Sequence, residues 1–208
     1  MDFKSFSEIF FCLYFFILFT GTLTSNKFFP VLLQNGRKIQ TMHLKTKNPL
    51  LCLVQILHNT KISKKFFFTL YTIPFFTLLL FPNKTSPSLF LIHPLRRLCE
   101  SLVYSRNSKS FMTVIQLIHG LSYYFILTFL LNNIKLNLKI FILLNILQGI
   151  AHFRVYYLHK REYSHYYTEV FIHLFFFLSD PIFSKFLNFA YVMSYVYCSR
   201  KMRNAGIC

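Results

Sequence analysis

The residues best suited to chemistry stand in one short stretch, HPLRRLCESLVYS. There His93, Arg96, Arg97, Glu100 and Tyr104 recur at three- and four-residue steps. That spacing sets all five on one face of a helix. Two guanidinium groups and a carboxylate so placed can receive an anionic, phosphorylated ligand, because the planar arginine fork matches phosphate geometry. The surrounding sequence is strongly apolar, so these charges are expensive. On membrane-insertion scales each costs about 2.5–3.5 kcal/mol, or roughly 8–10 kcal/mol for the three. A sum of that size rivals the net stability of a whole domain, and something must offset it. Two arrangements would: a structural Arg96–Glu100 pair with Arg97 snorkelling to the surface, or an inward stripe lining a polar cavity.

Weaker polar stripes repeat the theme. Gln116, His119 and Tyr123 share one helical face, and Asn145, Gln148 and His152 share another. Alone, each reads as hydrogen-bonding glue between helices. His165, Glu169 and His173 follow at four-residue steps. They are metal-ligand types, but without an HxxxH or HxxHH cluster to complete a site no metal is expected. Serine-nucleophile, P-loop and GxGxxG patterns do not occur, so a nucleotide would bind without a Rossmann fold.

The elements that must hold these stripes follow from composition. The chain has 208 residues, 54% hydrophobic and only 14% charged, with 28 Phe against 5 Gly. Soluble domains are about 25% charged. This is more apolar surface than one water-soluble core can bury, which points to an all-α integral membrane protein. Seven spans are expected at about 9–24, 66–81, 88–104, 111–131, 134–151, 166–178 and 182–198, the third being polar enough to read also as re-entrant or interfacial. The N-terminal run lacks a small-residue cleavage site and reads as a retained helix.

The net charge of +17 does not form a single stripe, so nucleic acid is not expected as a partner. Sixteen Lys and Arg fall in the loops of one side, eight of them between Lys27 and Lys65. Five (Lys4, Lys84, Lys135, Lys139 and Lys185) fall on the other. This asymmetry predicts a lumenal N-terminus and a cytosolic C-terminus, as an odd number of spans requires. The sequon Asn83-Lys84-Thr85 lands on the lumenal side, close to the bilayer. The five cysteines show no CxxC spacing and read as buried free thiols.

Four blocks, in order over roughly 62–188, resemble the steroid 5α-reductase superfamily and, within it, the polyprenol (polyprenal) reductase branch. HPLRRLCES is similar to the H-x-x-R/K-R-x-x-E-S/T signature, which trans-2-enoyl-CoA reductases share. QLIHGLSYY resembles a Gln…Gly-Leu-x-Tyr-Tyr helix, giving Gln116, Gly120, Leu121, Tyr123 and Tyr124. ISKKFFFTLY is similar to the branch's VPKRWF-x-HFY, with Ser63 in place of proline. SHYYTEVFIH resembles P-H/N-Y-x-x-E, giving His165, Tyr166 and Glu169.

The resemblance implies a seven-helix bundle in the endoplasmic-reticulum membrane, with NADPH entering from the cytosol. The implied reaction reduces a double bond conjugated to a carbonyl, here on a long-chain isoprenoid (polyprenal to dolichal, feeding dolichol synthesis and N-glycosylation). A hydride donor must face the β-carbon and an acid must polarise the carbonyl oxygen. By resemblance His93, Arg96, Arg97, His165, Tyr166 and Glu169 would bind the cofactor. Glu100 and one of Tyr71, Tyr104 and Tyr124 would act at the reacting atoms. The chain then divides into 1–65, an N-terminal helix with a basic cytosolic loop, and 66–208, the reductase-like membrane domain. Its partner would be a polyisoprenoid lipid, and the oligomeric state is left open.

Departures set the alternatives. Pro94 stands where steroid-reducing members have Tyr, and no acidic residue lies between Glu8 and Glu100, which disfavours steroids. AHFRVYYLHKREYSHYY joins the fifth and sixth spans almost directly, where relatives carry a longer loop, and SRKMRNAGIC replaces their aromatic C-terminal tail. The alternatives are thus a truncated, inactive family member retained as a membrane protein, an enoyl-CoA reductase-like lipid enzyme and, more distantly, a transporter.

Overall fold

The computed structural model describes residues 3–28, 45, 47–80, 87–105, 110–131, 137–158 and 163–204. Eight α-helices account for most of them: α1 (Phe3–Phe28), α2 (Pro49–Asn59), α3 (Thr69–Leu80), α4 (Pro87–Ser105), α5 (Val114–Leu130), α6 (Leu138–Tyr156), α7 (Ser164–Ser179) and α8 (Phe183–Asn204). Two three-residue strands, β1 (Lys61–Ser63) and β2 (Phe111–Thr113), pair antiparallel with Ile62 opposite Met112. The chain is mostly helical, as its composition predicts.

Local chemistry sets the ends of these helices. Asn48 caps α2 by accepting from the backbone N–H groups of Leu50 and Leu51, and Pro49 occupies the first helical position. Thr113 and Gln116 form a reciprocal capping box at the start of α5. Asn137 caps α6, accepting from Ile140 N at 3.3 Å. At the start of α8 a distant residue does this work. Glu8 of α1 accepts from the backbone N–H of Ser184 at 3.1 Å, placing a carboxylate at a helix N-terminus. Glu8→Ala is expected to lower stability by about 0.5–2 kcal/mol. Thermal unfolding in detergent reads this, and an unchanged midpoint would show that the contact adds nothing.

Each expected span coincides with a helix, with corrections at the margins. The second begins as a 3-10 turn over Lys64–Phe68 before α3 starts, and the first three residues of the fourth are strand β2. The fifth is displaced toward the C-terminus, because Asn137 fixes its start and the helix continues through His152 to Tyr156. The third is an unbroken helix of 19 residues despite Pro94. The larger correction lies before residue 65. What reads as a basic loop contains α2 and β1, and β1 pairs across to β2, so the division at 65 does not separate independent units. By length and composition two helices among the described residues, at Ser7–Thr24 and Leu138–Tyr156, are long and apolar enough to cross a membrane. Helix α5 is apolar but, at 17 residues, shorter. The sequon at Asn83, the connection at 159–162 and the chain end at 205–208 lie outside the described residues, as do many of the basic loop positions.

Helix α1 packs along α8, α3 against α5, and α6 against α7. Phe15, Tyr123, Leu127, Phe141, Ile172, Phe176 and Leu187 meet in a shared core. Around that core the usual distribution is inverted. Helix α6 points Ile142, Leu143, Ile146, Leu147 and Ile150 outward while burying Asn145, Gln148 and His152. Helix α1 exposes Ile9, Phe10, Leu13, Phe16 and Ile17. Tyr104 stacks on Tyr156, Tyr156 neighbours His165, and Arg200 bonds Tyr167 at 2.7 Å. These contacts bring the C-terminal ends of α4, α6 and α8 together with the N-terminal end of α7. Lys64, Lys65, Arg154, Arg200 and Lys201 belong to that end, whereas Glu8, Asp180 and Lys185 belong to the opposite one.

Candidate functional site

The face anticipated in α4 turns inward against α6, and the two helices build one polar cluster. Glu100 is its hub. It bonds the Nη1 group of Arg96 through Oε1, and its Oε2 lies 2.8 Å from Arg97 Nη1 and 2.7 Å from His152 Nδ1. Arg96 is held further by Gln148 Oε1 and by Asn145 Oδ1 at 3.2 Å, and His93 Nδ1 reaches the same Asn145 oxygen at 3.0 Å. The stripe Asn145–Gln148–His152, which alone reads as packing glue, therefore supplies acceptors for one buried and one half-buried guanidinium. Gly149 of α6 faces this cluster, and a Cβ there would make ordinary contact with Glu100 Oε1 at 3.5 Å and with Arg96 at 3.9 Å.

Arg97 does not snorkel. The residue is buried, 8% exposed, and its side chain passes from the cluster to a second set of partners. Its Nη2 donates to Tyr71 OH at 2.7 Å, with the guanidinium carbon 5.0 Å from that ring's centroid. Tyr124 OH also donates to Tyr71 OH, at 3.3 Å. His152 Nδ1 lies 2.6 Å from Arg97 Nη1 as well as close to Glu100, and one ring nitrogen serves only one of these at a time. Arg97 Nε is buried without a hydrogen-bond partner, so the group retains an unused donor.

Arg97 forms part of the wall of a cavity of about 720 Å³. Tyr71, Tyr124, His152, His165, Tyr166, Glu169 and Lys64 line its polar part. Leu70, Met112, Ile115, Val192 and Val196 line an apolar part that extends to Ile17, Leu18 and Gly21 of α1. A volume of this size suits a small molecule or cofactor. Beside it is a smaller recess of about 200 Å³, bordered by Lys64, Arg97, Glu100, Ser101, Tyr104 and Tyr156.

The anticipated site residues therefore separate. Arg97, Tyr71, Tyr124, His165, Tyr166 and Glu169 meet in the main cavity. Glu100 and Tyr104 border the recess, whereas His93 and Arg96 line neither space and are held on Asn145 of α6. His173 leaves its own stripe to bond Asn188 at 3.0 Å, and Asn188 also accepts from Tyr123 at 3.0 Å. Among the described residues no three His, Cys, Asp or Glu side chains are grouped to hold a metal. Sequence reasoning missed Lys64 and the His119–Tyr191 pair, bonded at 2.7 Å across 72 residues. It also missed His152 as a partner of Arg97. For His152 the signal was the helical spacing from Gln148; the pairing across 55 residues leaves no local trace.

Compared with known proteins, the chain finds no match among family models, curated proteins or solved structures.

Proposed function

We propose that this chain is a multi-pass protein of the endoplasmic-reticulum membrane that reduces the α,β-double bond of a long-chain isoprenoid enal with NADPH. The observation that carries the reading is a polar Arg96–Arg97–Glu100–His152 cluster from which Arg97 and His152 reach the wall of a cavity that is lined by polar groups on one side and apolar side chains on another. The polar part suits a phosphorylated cofactor and the α1–α8 wall suits a hydrocarbon chain.

The membrane part of the reading is supported by the inverted exterior. Leu, Ile and Phe face outward along α1 and α6, while Arg97, Asn145, Gln148, His152 and His173 are buried. Soluble monomers rarely expose apolar patches beyond a few hundred Å². The seven helices other than α2 then serve as spans, with the Lys64–Arg154–Arg200 end toward the cytosol and the Glu8–Lys185 end toward the lumen. Several would be short for a bilayer, which tilt and local thinning accommodate.

The donor set fits NADPH: Arg97 Nε is an orphaned buried donor, Lys64 adds a cation at the cytosolic end, and His165, Tyr166 and Glu169 offer polar contacts. When bound, the dihydronicotinamide supplies hydride to the β-carbon. Among this chain's own groups, Tyr71 is placed to handle the proton. Its oxygen already accepts from Arg97 and from Tyr124, which leaves its own O–H to donate to the carbonyl oxygen of a substrate in the cavity that Tyr71 lines. The guanidinium behind it stabilises negative charge developing there. Glu100 acts one step back, holding Arg97 and His152 in place, and is a positioning residue.

Membranes containing the full chain are expected to oxidise NADPH in the presence of polyprenal and to yield dolichal, with NADH a poorer donor. Binding of NADPH without turnover would favour the enoyl-CoA substrate, to be offered next. Absence of both binding and turnover would support the inactive alternative and sink the enzyme reading.

A further inference from the structure

Helix α2 has its apolar residues on the wrong side for a helix facing water. Leu50, Leu53 and Ile56, at three-residue steps on one face, are 66%, 50% and 61% exposed. The opposite side, packed on α5 and β2, carries fully buried His58 and half-buried Val54 and Gln55, with Leu51 of the first turn 42% exposed. A helix of 11 residues is about 16 Å long, roughly half the hydrocarbon thickness, so it cannot span. It leads through Thr60 into β1, and β1 is tied to the start of α5, with Val114 N donating to Thr60 O at 3.0 Å. This places α2 at the basic end of the bundle.

Exposed lysines bracket it on both sides: Lys45 and Lys47 before, Lys61 and Lys65 after, with Phe66 beside them 54% exposed. We propose that α2 is an in-plane anchor, its Leu50–Leu53–Ile56 face immersed at the level of the upper acyl chains and its flanking lysines bound to anionic lipid headgroups. An amphipathic segment with basic flanks has the composition for this position, and the cytosolic leaflet carries the matching negative charge. The inference rests on the membrane reading above and adds to it a lipid-binding surface that no span supplies. Helix α2 continues into the strand pair that precedes α3 and α5, and Leu70 and Met112 of these segments line the cavity.

The chain contains no Trp, so a single introduced indole reports depth. Leu53→Trp and, as a reference, Leu147→Trp on the outward face of α6 are each placed in the full chain. Both are reconstituted into vesicles of equimolar phosphatidylcholine and phosphatidylserine, with bromines near either the glycerol end or the methyl end of the acyl chains. Leu53 and Leu147 are 50% and 44% exposed, which leaves the larger ring room to extend outward. The expected result is that Trp fluorescence at position 53 is quenched more by bromines near the glycerol end, and that this quenching falls when phosphatidylcholine replaces the phosphatidylserine. Position 147 is expected to be quenched by the deeper bromines. Quenching at 147 but none at 53 overturns the anchor and leaves the membrane reading standing. No quenching at either position overturns both. A blue-shifted but unquenched signal at 53 assigns the face to a second protein surface and overturns the lipid assignment. Quenching at 53 that is indifferent to phosphatidylserine overturns the role given to the lysines.

Discussion

Glu100→Ala is expected to lower stability by about 3–5 kcal/mol, because it leaves two inward guanidiniums without their shared counter-charge. In a chain of this size that corresponds to a fall of roughly 6–20 °C in unfolding midpoint. The effect exceeds that of a surface pair because Arg96, Arg97 and Glu100 side chains are 18%, 10% and 12% exposed, which leaves water little opportunity to screen them. Glu100→Gln retains one acceptor oxygen and should fall in between. Replacing the cluster with apolar residues of similar volume (Arg96→Met, Arg97→Met and Glu100→Leu together) should recover much of the lost stability, since it removes the charges as well as their partner. It should not recover NADPH-dependent reduction. Stability measured in detergent and turnover measured in membranes therefore part company in the triple variant. If both returned, the cluster would be a packing device and the catalytic reading of Arg97 would fail. If Glu100→Ala unfolded at the wild-type temperature, the guanidiniums would have another counter-charge, Glu169 across the cavity being the nearest candidate.

The part of this site that lies within single helices was legible in the sequence. Arg96 with Glu100 and Arg97 with Glu100 are four- and three-residue neighbours, and helical periodicity alone puts them together. So were seven of the eight helices, because long apolar runs need no tertiary information to be recognised. What could not be read is which stripe meets which. The face of Asn145, Gln148 and His152 and the face of Gln116, His119 and Tyr123 have equal polarity. Only packing determines that the first receives the arginines and that the second divides its members among a cap, the cavity and Asn188. Helix α2 was missed for another reason. Its apolar run is short and set among lysines, so hydropathy alone assigns it to the loop, although Asn48-Pro49 is a strong helix-start signal. The inversion of its faces is visible only once the protein-facing side is known.

For the proposed reduction, the choice of a proton donor is where sequence and structure differ most in resolving power. Tyr71, Tyr104 and Tyr124 are equivalent in the sequence, but Tyr104 stacks on Tyr156 at the recess, and of the cavity pair only Tyr71 touches a cation. Tyr71→Phe is expected to cut kcat by about 10²–10⁴, the usual contribution of a positioned acid, with KM for NADPH little changed. Tyr124→Phe removes only a donor to Tyr71 at 3.3 Å and should cost much less. Folding should respond in a different proportion. Tyr71→Phe loses a hydrogen bond to a charged group, worth about 1.5–3 kcal/mol, and Tyr124→Phe loses a neutral one, worth about 0.5–1.5 kcal/mol. A purely structural tyrosine would lower stability without altering kcat in the fraction that remains folded, so turnover must be normalised to folded protein. Wild-type kcat in Tyr71→Phe with a large loss in Tyr124→Phe would reverse the order of the pair. Wild-type kcat in both would remove these two tyrosines from the reaction and turn attention to the other donors of the same cavity, Arg97, His152 and Tyr166.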